Sequence, residues 1–327
     1  LHESGSCFVQ ISDENVHHVR EMMDEIFGAG NFIAIVPFRK KTMPLGAKFL
    51  ESMYDYLLWY ARDIKNCKYH TLYEEQSVEG DFHWNWIELP DGTREKITKE
   101  QVNNHSLLPK DGRIFRLVSL WPASFSSESI FEVVFQGITI KPPKGQCWPT
   151  NKNGMKKIID SGRVHMEGNH LRRIVYLDEY KYKKIVGLWS DTVGARDKNY
   201  VVETSPKVVE RCLLMTTDPG DLVFDPTCGS GTTAYVAEQW GRRWITCDTS
   251  RVALTLAKQR LMTASFDYYK LARPKEGVGS GFEYKTVPHI TLKSIANNPD
   301  IREGMSQKEI DEAIQRHAPQ ETLYDQP

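Results

Sequence analysis

The amino-acid sequence predicts an α/β fold into which a second domain is inserted. In residues 6–62 and 207–262, short apolar runs typical of buried strands alternate with segments of helical periodicity. Residues 64–185 lose that helical period and mix aromatic with turn-forming residues. A strand, a glycine-bearing loop and a helix also follow one another within residues 221–240. Together these observations favour a Rossmann-like sheet interrupted by a domain of different character.

The glycine-bearing loop predicts a ligand site. Leu222–Phe224 has the composition of a buried strand, and Gly229 and Gly231 follow it before the next helix. Glycines let a ligand approach the main chain, and the helix N-terminus adds hydrogen-bond donors and positive charge. The following strand, residues 243–247, ends at Asp248, where a carboxylate can accept hydrogen bonds from ribose hydroxyls. This order predicts a nucleoside-binding half of a Rossmann-like sheet.

Two other interpretations of the loop remain open. A pair of glycines also occurs in tight strand-to-helix turns that hold no ligand. A dinucleotide site usually has three glycines in the pattern G-x-G-x-x-G, whereas this loop has only Gly229 and Gly231. The acidic end of the next strand favours a nucleoside ligand over both alternatives.

Composition limits the class of protein. The 327 residues suffice for two or three domains, and 42 basic residues nearly balance 43 acidic ones, so a nucleic-acid surface would require segregated charge. No apolar run approaches the ~20 residues of a membrane span, and no signal peptide is visible. The six cysteines lack C-x-x-C spacing and the ten histidines are dispersed. This pattern predicts reduced thiols in a cytoplasmic protein without a metal site.

Residues 1–63 are predicted to form the first α/β segment. Residues 6–11, 31–38 and 54–62 each have the composition of a strand, and an amphipathic helix ended by Gly28 lies between the first two. We expect this segment to be continuous with the later Rossmann-like unit in one α/β fold.

The inserted domain, residues 64–185, carries a local excess of positive charge. Residues 141–185 contain eleven basic and four acidic residues, with aromatic side chains among them. Such a segment can contact a phosphate backbone, although a charged run is also typical of a merely solvated face. The residues we assign to DNA binding are Lys156, Lys157, Arg172 and Arg173.

The remaining sequence divides into two parts. Residues 186–262 contain the loop and a preceding helix for which Pro206 is well suited as the first residue. Residues 263–327 are predicted to be a C-terminal extension, because residues 301–327 are polar and end without a cap or core residue. Together with the start at Leu1, this ending suggests a piece of a longer protein.

The string Asp225–Thr233 resembles the S-adenosylmethionine loop of amino-group DNA methyltransferases, although many relatives carry an aromatic residue at the position of Thr227. The segments Trp189–Thr192 and Glu203–Lys207 resemble the part that precedes this loop in the family. The order of parts is that of the permuted β class, and the adenine-specific enzymes of type III restriction–modification systems are most similar. The resemblance makes residues 1–63 a remnant of the catalytic half, the insert a target-recognition domain, and residues 186–262 the cofactor half.

The resemblance implies S-adenosylmethionine as cofactor and double-stranded DNA as partner. Methyl transfer to adenine N6 is the implied reaction, with cytosine N4 as the alternative, and a restriction subunit or a homodimer is an implied association. The cofactor residues that it implies are Thr204, Pro206, Lys207, Asp225, Thr227, Cys228, Gly229, Ser230, Gly231, Thr232 and Asp248.

The family's catalytic motif does not occur in this sequence. That motif, Asp/Asn-Pro-Pro-Tyr/Phe, supplies acceptors for the target amine and a stacking aromatic for a flipped base. The nearest strings are Asp225-Pro226-Thr227, which belongs to the cofactor loop, and Lys141-Pro142-Pro143-Lys144, which has neither an acceptor side chain nor an aromatic. We therefore name no catalytic residue and expect the chain alone to be inactive. A non-catalytic module that binds cofactor or DNA is the alternative from another class, and a nicotinamide enzyme is disfavoured by the two-glycine loop.

Overall fold

A computed structural model describes residues 1–44, 46–193 and 204–327. The chain divides into two compact units. The first unit comprises residues 1–73, 184–285 and 323–327, and the second comprises residues 74–183 and 286–322. In the described ranges, no helix has the length and apolar character needed to cross a membrane.

The secondary-structure elements are numbered in chain order. The strands are β1 (Ser6–Ile11), β2 (Phe32–Arg39), β3 (Tyr54–Ala61), β4 (Tyr73–Glu75), β5 (Trp86–Glu88), β6 (Arg94–Lys96), β7 (Arg113–Ser119), β8 (Val133–Phe135), β9 (Ile138–Ile140), β10 (Val164–Glu167), β11 (His170–Tyr176), β12 (Tyr182–Lys184), β13 (Leu222–Asp225), β14 (Arg243–Thr246), β15 (Thr286–Pro288) and β16 (Gln320–Thr322). The helices are α1 (Val16–Phe27), α2 (Lys99–Asn103), α3 (Lys152–Asp160), α4 (Pro206–Thr216), α5 (Thr232–Gln239), α6 (Arg251–Thr263), α7 (Leu292–Ala296) and α8 (Gln307–His317). The combination of helices and strands along the chain confirms the predicted α/β class.

The first unit contains a three-stranded antiparallel sheet of order β1-β3-β2. Its central strand is apolar on both faces because each face packs on helices. Leu58 packs with Met23 of α1, whereas the neighbouring Leu57 faces a core that includes Val208 of α4 and Val236 of α5. Alternation of successive side chains along a strand explains why residues 56–61 of β3 form a continuous apolar run.

The first unit also contains a parallel pair, β13 and β14, in which Asp225 lies opposite Thr246. Val223 and Trp244 pack on the same core as Leu57. The parallel pair and the β1-β3-β2 sheet belong to the same compact unit, although no ladder of backbone hydrogen bonds joins them within the described residues. The two sheets are instead joined through the side chains of α4 and α5.

The second unit is built on a five-stranded sheet of order β10-β11-β7-β5-β6 and a separate β8–β9 hairpin. Its boundaries, 74 and 183, differ from the predicted 64 and 185. Its main core combines Trp148, Met155 and Leu171 with residues of the segment 286–322.

The C-terminal stretch therefore differs from the expected extension. The structure assigns residues 286–322 to the second unit and residues 263–285 and 323–327 to the first. Ile310 and Ile314 of α8 are buried in the second unit's core, and Ser306 forms a capping box with Glu309 at the start of α8. Spacing of apolar residues at i and i+4 explains the burial. This segment therefore has both a helix cap and core residues, contrary to the expectation that it would have neither.

Candidate cofactor-binding site

The candidate site lies at the carboxyl ends of β13 and β14. In a parallel pair both carboxyl ends meet at one edge, so the loops that follow the two strands are neighbours. The backbone N–H of Cys228 donates to the carbonyl oxygen of Cys247 at 2.9 Å, and the N–H of Cys247 donates to that of Asp225 at 3.0 Å. These bonds extend the parallel pairing into the two loops.

The first loop turns tightly after Asp225. The carboxylate of Asp225 accepts hydrogen bonds from the backbone N–H and the hydroxyl of Thr227, at 2.9 and 3.3 Å. Gly229 has a φ of 49° and Gly231 a φ of 79°. Gly231 is the N-cap of α5 in the left-handed conformation, which explains why glycine occupies the position.

Asp248 closes the second loop onto the first. Its carboxylate accepts hydrogen bonds from the backbone N–H of Gly229 at 2.9 Å and of Ser250 at 2.8 Å. The bonds from Ser250 and Gly229 lower the pKa of this carboxyl. A carboxylate has about four lone-pair positions, so this one can still accept from a further donor. Asp248 thus organises the loop and keeps capacity for a ligand.

The structure shows a packing requirement at Gly231 that the motif did not indicate. A Cβ at this position would lie 2.7 Å from Cβ and 3.1 Å from Cα of Ala257 in α6. Glycine is therefore required here for the close approach of α6. The motif letters alone could not reveal this, because the neighbour is 26 residues away in sequence.

Two predicted hydroxyl residues of the loop face the protein interior. Ser230 and Thr232 are buried, as is Cys228, and burial raises the pKa of the Cys228 thiol. Arg260 of α6 donates to the Thr232 hydroxyl at 3.1 Å and lies 4.7 Å from the ring centre of Tyr235. In the sequence, the one signal for Arg260 is its position three turns along α6 from the Ser250 cap.

The residues predicted to precede the loop are engaged elsewhere. Thr204 donates its hydroxyl to the side-chain oxygen of Gln10 at 2.6 Å. Lys207 forms an ion pair with Asp191 at 2.6 Å, and Asp191 also pairs with Arg211. Pro206 begins α4, as expected. Glu203 lies outside the described residues.

The four residues assigned to DNA binding belong to the second unit and each has a protein partner. Lys156 pairs with Asp160 at 2.9 Å and Glu303 at 2.7 Å, and Lys157 donates to the carbonyl oxygen of Asn298 at 2.6 Å. Glu303 and Asn298 come from the C-terminal segment, which a local charge count does not include.

The two arginines of this set are also engaged. Arg172 pairs with Glu167 at 3.1 Å, and Arg173 donates to the Tyr180 hydroxyl at 3.5 Å. They are adjacent residues of β11, so their side chains point to opposite faces of the sheet. The structure does not bring the four residues together as one uncompensated basic face.

The chain is similar in sequence to known DNA methyltransferases. A family model, N6_N4_Mtase, described as DNA methylase, matches residues 1–259. The chain is 26% identical over 275 residues to the type II methyltransferase M.EcaI of Enterobacter cloacae, covering 80% of this chain and 54% of the relative. It is 21% identical over 309 residues to a protein of Haemophilus influenzae named as the probable type III restriction-modification enzyme HindVI Mod subunit. This match covers 80% of this chain and 41% of the relative. The chain spans about half the length of these curated relatives.

Solved methyltransferase structures give weaker matches. The M1.HpyAVI–SAM complex has a TM-score of 0.38 at 12% identity, covering 80% of this chain and 76% of that one. The cytosine-N4-specific PvuII DNA methyltransferase has a TM-score of 0.37 at 12% identity, covering 97% and 71%. The family match over most of the sequence confirms the resemblance noted above. The chain belongs to the N6_N4_Mtase DNA methylase family.

Proposed function

We propose that this chain is part of an S-adenosylmethionine-dependent DNA methyltransferase that modifies an exocyclic amino group, with adenine N6 as the preferred target. The observation that carries the proposal is the bond between Gly229 and Asp248. It joins the glycine loop to the acidic residue of the next strand, which is the arrangement that a nucleoside ligand requires.

The residues present fit this cofactor. Asp248 keeps lone-pair capacity for a ribose hydroxyl, and the loop exposes Pro226 and Thr227 beside it. When bound, S-adenosylmethionine would supply a methyl group on a positively charged sulfur. Asp225 and Asp248 place two carboxylates at the strand ends, which favours a cationic ligand there.

The chain's contribution to chemistry is positioning. Attack by an amine on the methyl group depends mainly on orientation, because no covalent enzyme intermediate is needed. Holding a flipped base requires acceptors for its N–H groups and a stacking aromatic, and the Asp-Pro-Pro-Tyr-like string that provides them is absent from the sequence. We therefore assign no catalytic residue and propose that the chain supplies the cofactor and DNA-recognition parts.

The test separates binding from transfer. We expect calorimetry to detect S-adenosylmethionine binding to the 327-residue chain, while labelled methyl groups do not appear in duplex DNA incubated with it. Absence of cofactor binding by the folded chain would contradict the assignment of the site. Labelled DNA from this chain alone would show that an unassigned string performs the catalytic role.

The choice of base and the partner rest on the same proposal. Similarity to a type III Mod subunit supports adenine, and association with a restriction subunit is proposed on that ground alone. Adding a polypeptide that carries the missing motif should yield N6-methyladenine in DNA. Recovery of N4-methylcytosine instead would support the same enzyme class and show that cytosine, not adenine, is the target base. A module that binds without catalysis is the second candidate, favoured by the missing motif, and failure of every such complementation would support it.

A further inference from the structure

The β8–β9 hairpin of the second unit is anchored at its base and exposed at its tip. Val133 and Ile140, opposite each other at the base, are 7% and 8% exposed and pack in the unit's main core. Towards the tip, Val134 is 64% and Ile138 53% exposed. Phe135, directly before the turn, also packs against this core, so the hairpin is held along one face while its other face and its turn are exposed.

The turn at the tip contains an unfavourable residue. Gln136 and Gly137 have φ values of 50° and 76°, and positive φ at both central residues is what a type I′ turn requires. Asn, Asp and Gly occupy such positions at little cost, whereas a longer side chain is strained. Gln136 is the one non-glycine residue with positive φ in the ranges that the structure describes. Backbone strain held at an exposed tip motivates a functional hypothesis for the side chain.

The flanks of the hairpin carry lysines that are available to a polyanion. Lys141 follows β9 directly and is only loosely paired with Glu132, at 3.9 Å with both side chains 61% exposed. Lys144 and Lys152 are exposed and have no ion pair within the described part of the chain. This contrasts with Lys156, whose ammonium group lies between two carboxylates.

A groove runs between the hairpin and α3. Its volume is about 600 Å³, and it is lined by Glu132, Val133, Val134, Lys152, Asn153, Lys156, Ile159 and Asp160. Its lining contains two acidic and two basic residues and so has no net charge, whereas the exposed Lys141 and Lys144 add positive charge outside the lining. Charge complementarity at these flanks favours a phosphate backbone beside the ribbon.

We propose that the β8–β9 hairpin enters the major groove of duplex DNA and that Gln136 contacts an adenine edge there; this inference rests on the proposed function. A major groove is about 12 Å wide and 8.5 Å deep and admits a two-stranded ribbon. The parts of the hairpin available to such a groove are its two-residue turn and its outer face, which carries the exposed side chain of Val134. A glutamine amide pairs with N6 and N7 of adenine, and exposed Val134 and Ile138 suit contact with thymine methyl groups.

The test uses selection of duplexes from a randomised library by the full chain. Gln136→Gly suits the positive φ better than glutamine, so we expect the variant to be at least as heat-stable as the original chain while losing its preference at one position of the selected site. The expected loss of discrimination is roughly 5- to 150-fold, with unselected DNA bound as before. Gln136→Arg should shift the preference at that position towards guanine, and Gln259→Ala, an exposed glutamine of α6, serves as the control without effect.

A second measurement addresses the lysines. Replacing Lys141, Lys144 and Lys152 with alanine should weaken binding to all duplexes and reduce the slope of log affinity against log salt by roughly 2 to 3. An unchanged site selected by Gln136→Gly would overturn the hairpin proposal and leave the proposed function standing. No selection of any duplex by the original chain would overturn both.

Discussion

The carboxylate of Asp311 accepts a hydrogen bond of 2.6 Å from the guanidinium of Arg163, whose side chain is fully buried. Asp311 belongs to α8 and Arg163 precedes β10, so the pair joins the two sequence segments of the second unit. Glu179 also pairs with Arg163, and Arg113 donates to Asp311 at 2.9 Å. The relationship shows that the segment 286–322 is held to the second unit by buried charge as well as by apolar packing.

Asp311→Ala is expected to destabilise the second unit. The change leaves a buried guanidinium with one fewer counter-charge, which typically costs about 3 kcal/mol when another acid remains. Urea unfolding at neutral pH would measure the difference. Glu312→Ala on the same helix is the matched control, because Glu312 is exposed and should stay within about 0.5 kcal/mol of the original chain. Equal stability of the two variants would contradict the structural role of the pair.

Asp248→Ala is expected to weaken binding of S-adenosylmethionine about tenfold or more, because two loop N–H groups and the ribose lose their acceptor. Calorimetry would give the affinities. Thr249→Ala, at the exposed neighbouring position, should bind as the original chain does. Unchanged affinity in a folded Asp248→Ala variant would remove Asp248 from the site.

Gly231→Ala should lower the free energy of unfolding by about 2 kcal/mol or more, since the new Cβ meets Ala257 and the φ of 79° disfavours alanine. Any loss of cofactor binding would then follow from displacement of α6. A double-mutant cycle with Ala257→Gly would test this cause. We expect the double variant to be more stable than the sum of the single effects predicts. Strict additivity would show that the clash with α6 is not the cause.

Asp191 should make the first unit's stability depend on pH in the acid range. Although partial burial disfavours its charged form, hydrogen bonds from Arg211 and Lys207 hold the pKa of this carboxyl at about 2, below the ordinary 3.8. A lowered folded-state pKa contributes stability that is present above the ordinary value and is lost as pH falls towards about 2. Asp191→Asn should therefore be less stable than the original chain near neutral pH. That difference should shrink between pH 4 and 2 in urea unfolding, and a pH-independent difference would contradict the assignment.

Local chemistry was sufficient to predict the central strand–loop–helix unit but not the burial of its strand, because Leu222 and Phe224 are 53% and 62% exposed where a buried strand was expected. The apolar run at Leu222–Phe224, the glycines of the loop and the acidic end at Asp248 are consecutive, and the conformations they require are set by neighbouring residues. The helix ended by Gly28 and the helix started by Pro206 follow from capping rules of the same local kind. These features could be predicted because each depends on residues within one or two turns of chain.

Tertiary structure decided what lies opposite each side chain. Gly231 leaves space for Ala257, Lys207 forms an ion pair with Asp191, and Lys156 forms one with Glu303. A sum of charges over residues 141–185 cannot include an acid 147 positions away from Lys156. The order of elements and the family resemblance follow from local sequence, whereas the partners of the charged and small residues depend on long-range packing. Hydrogen bonds and ion pairs act over a few ångströms in space, regardless of separation along the chain.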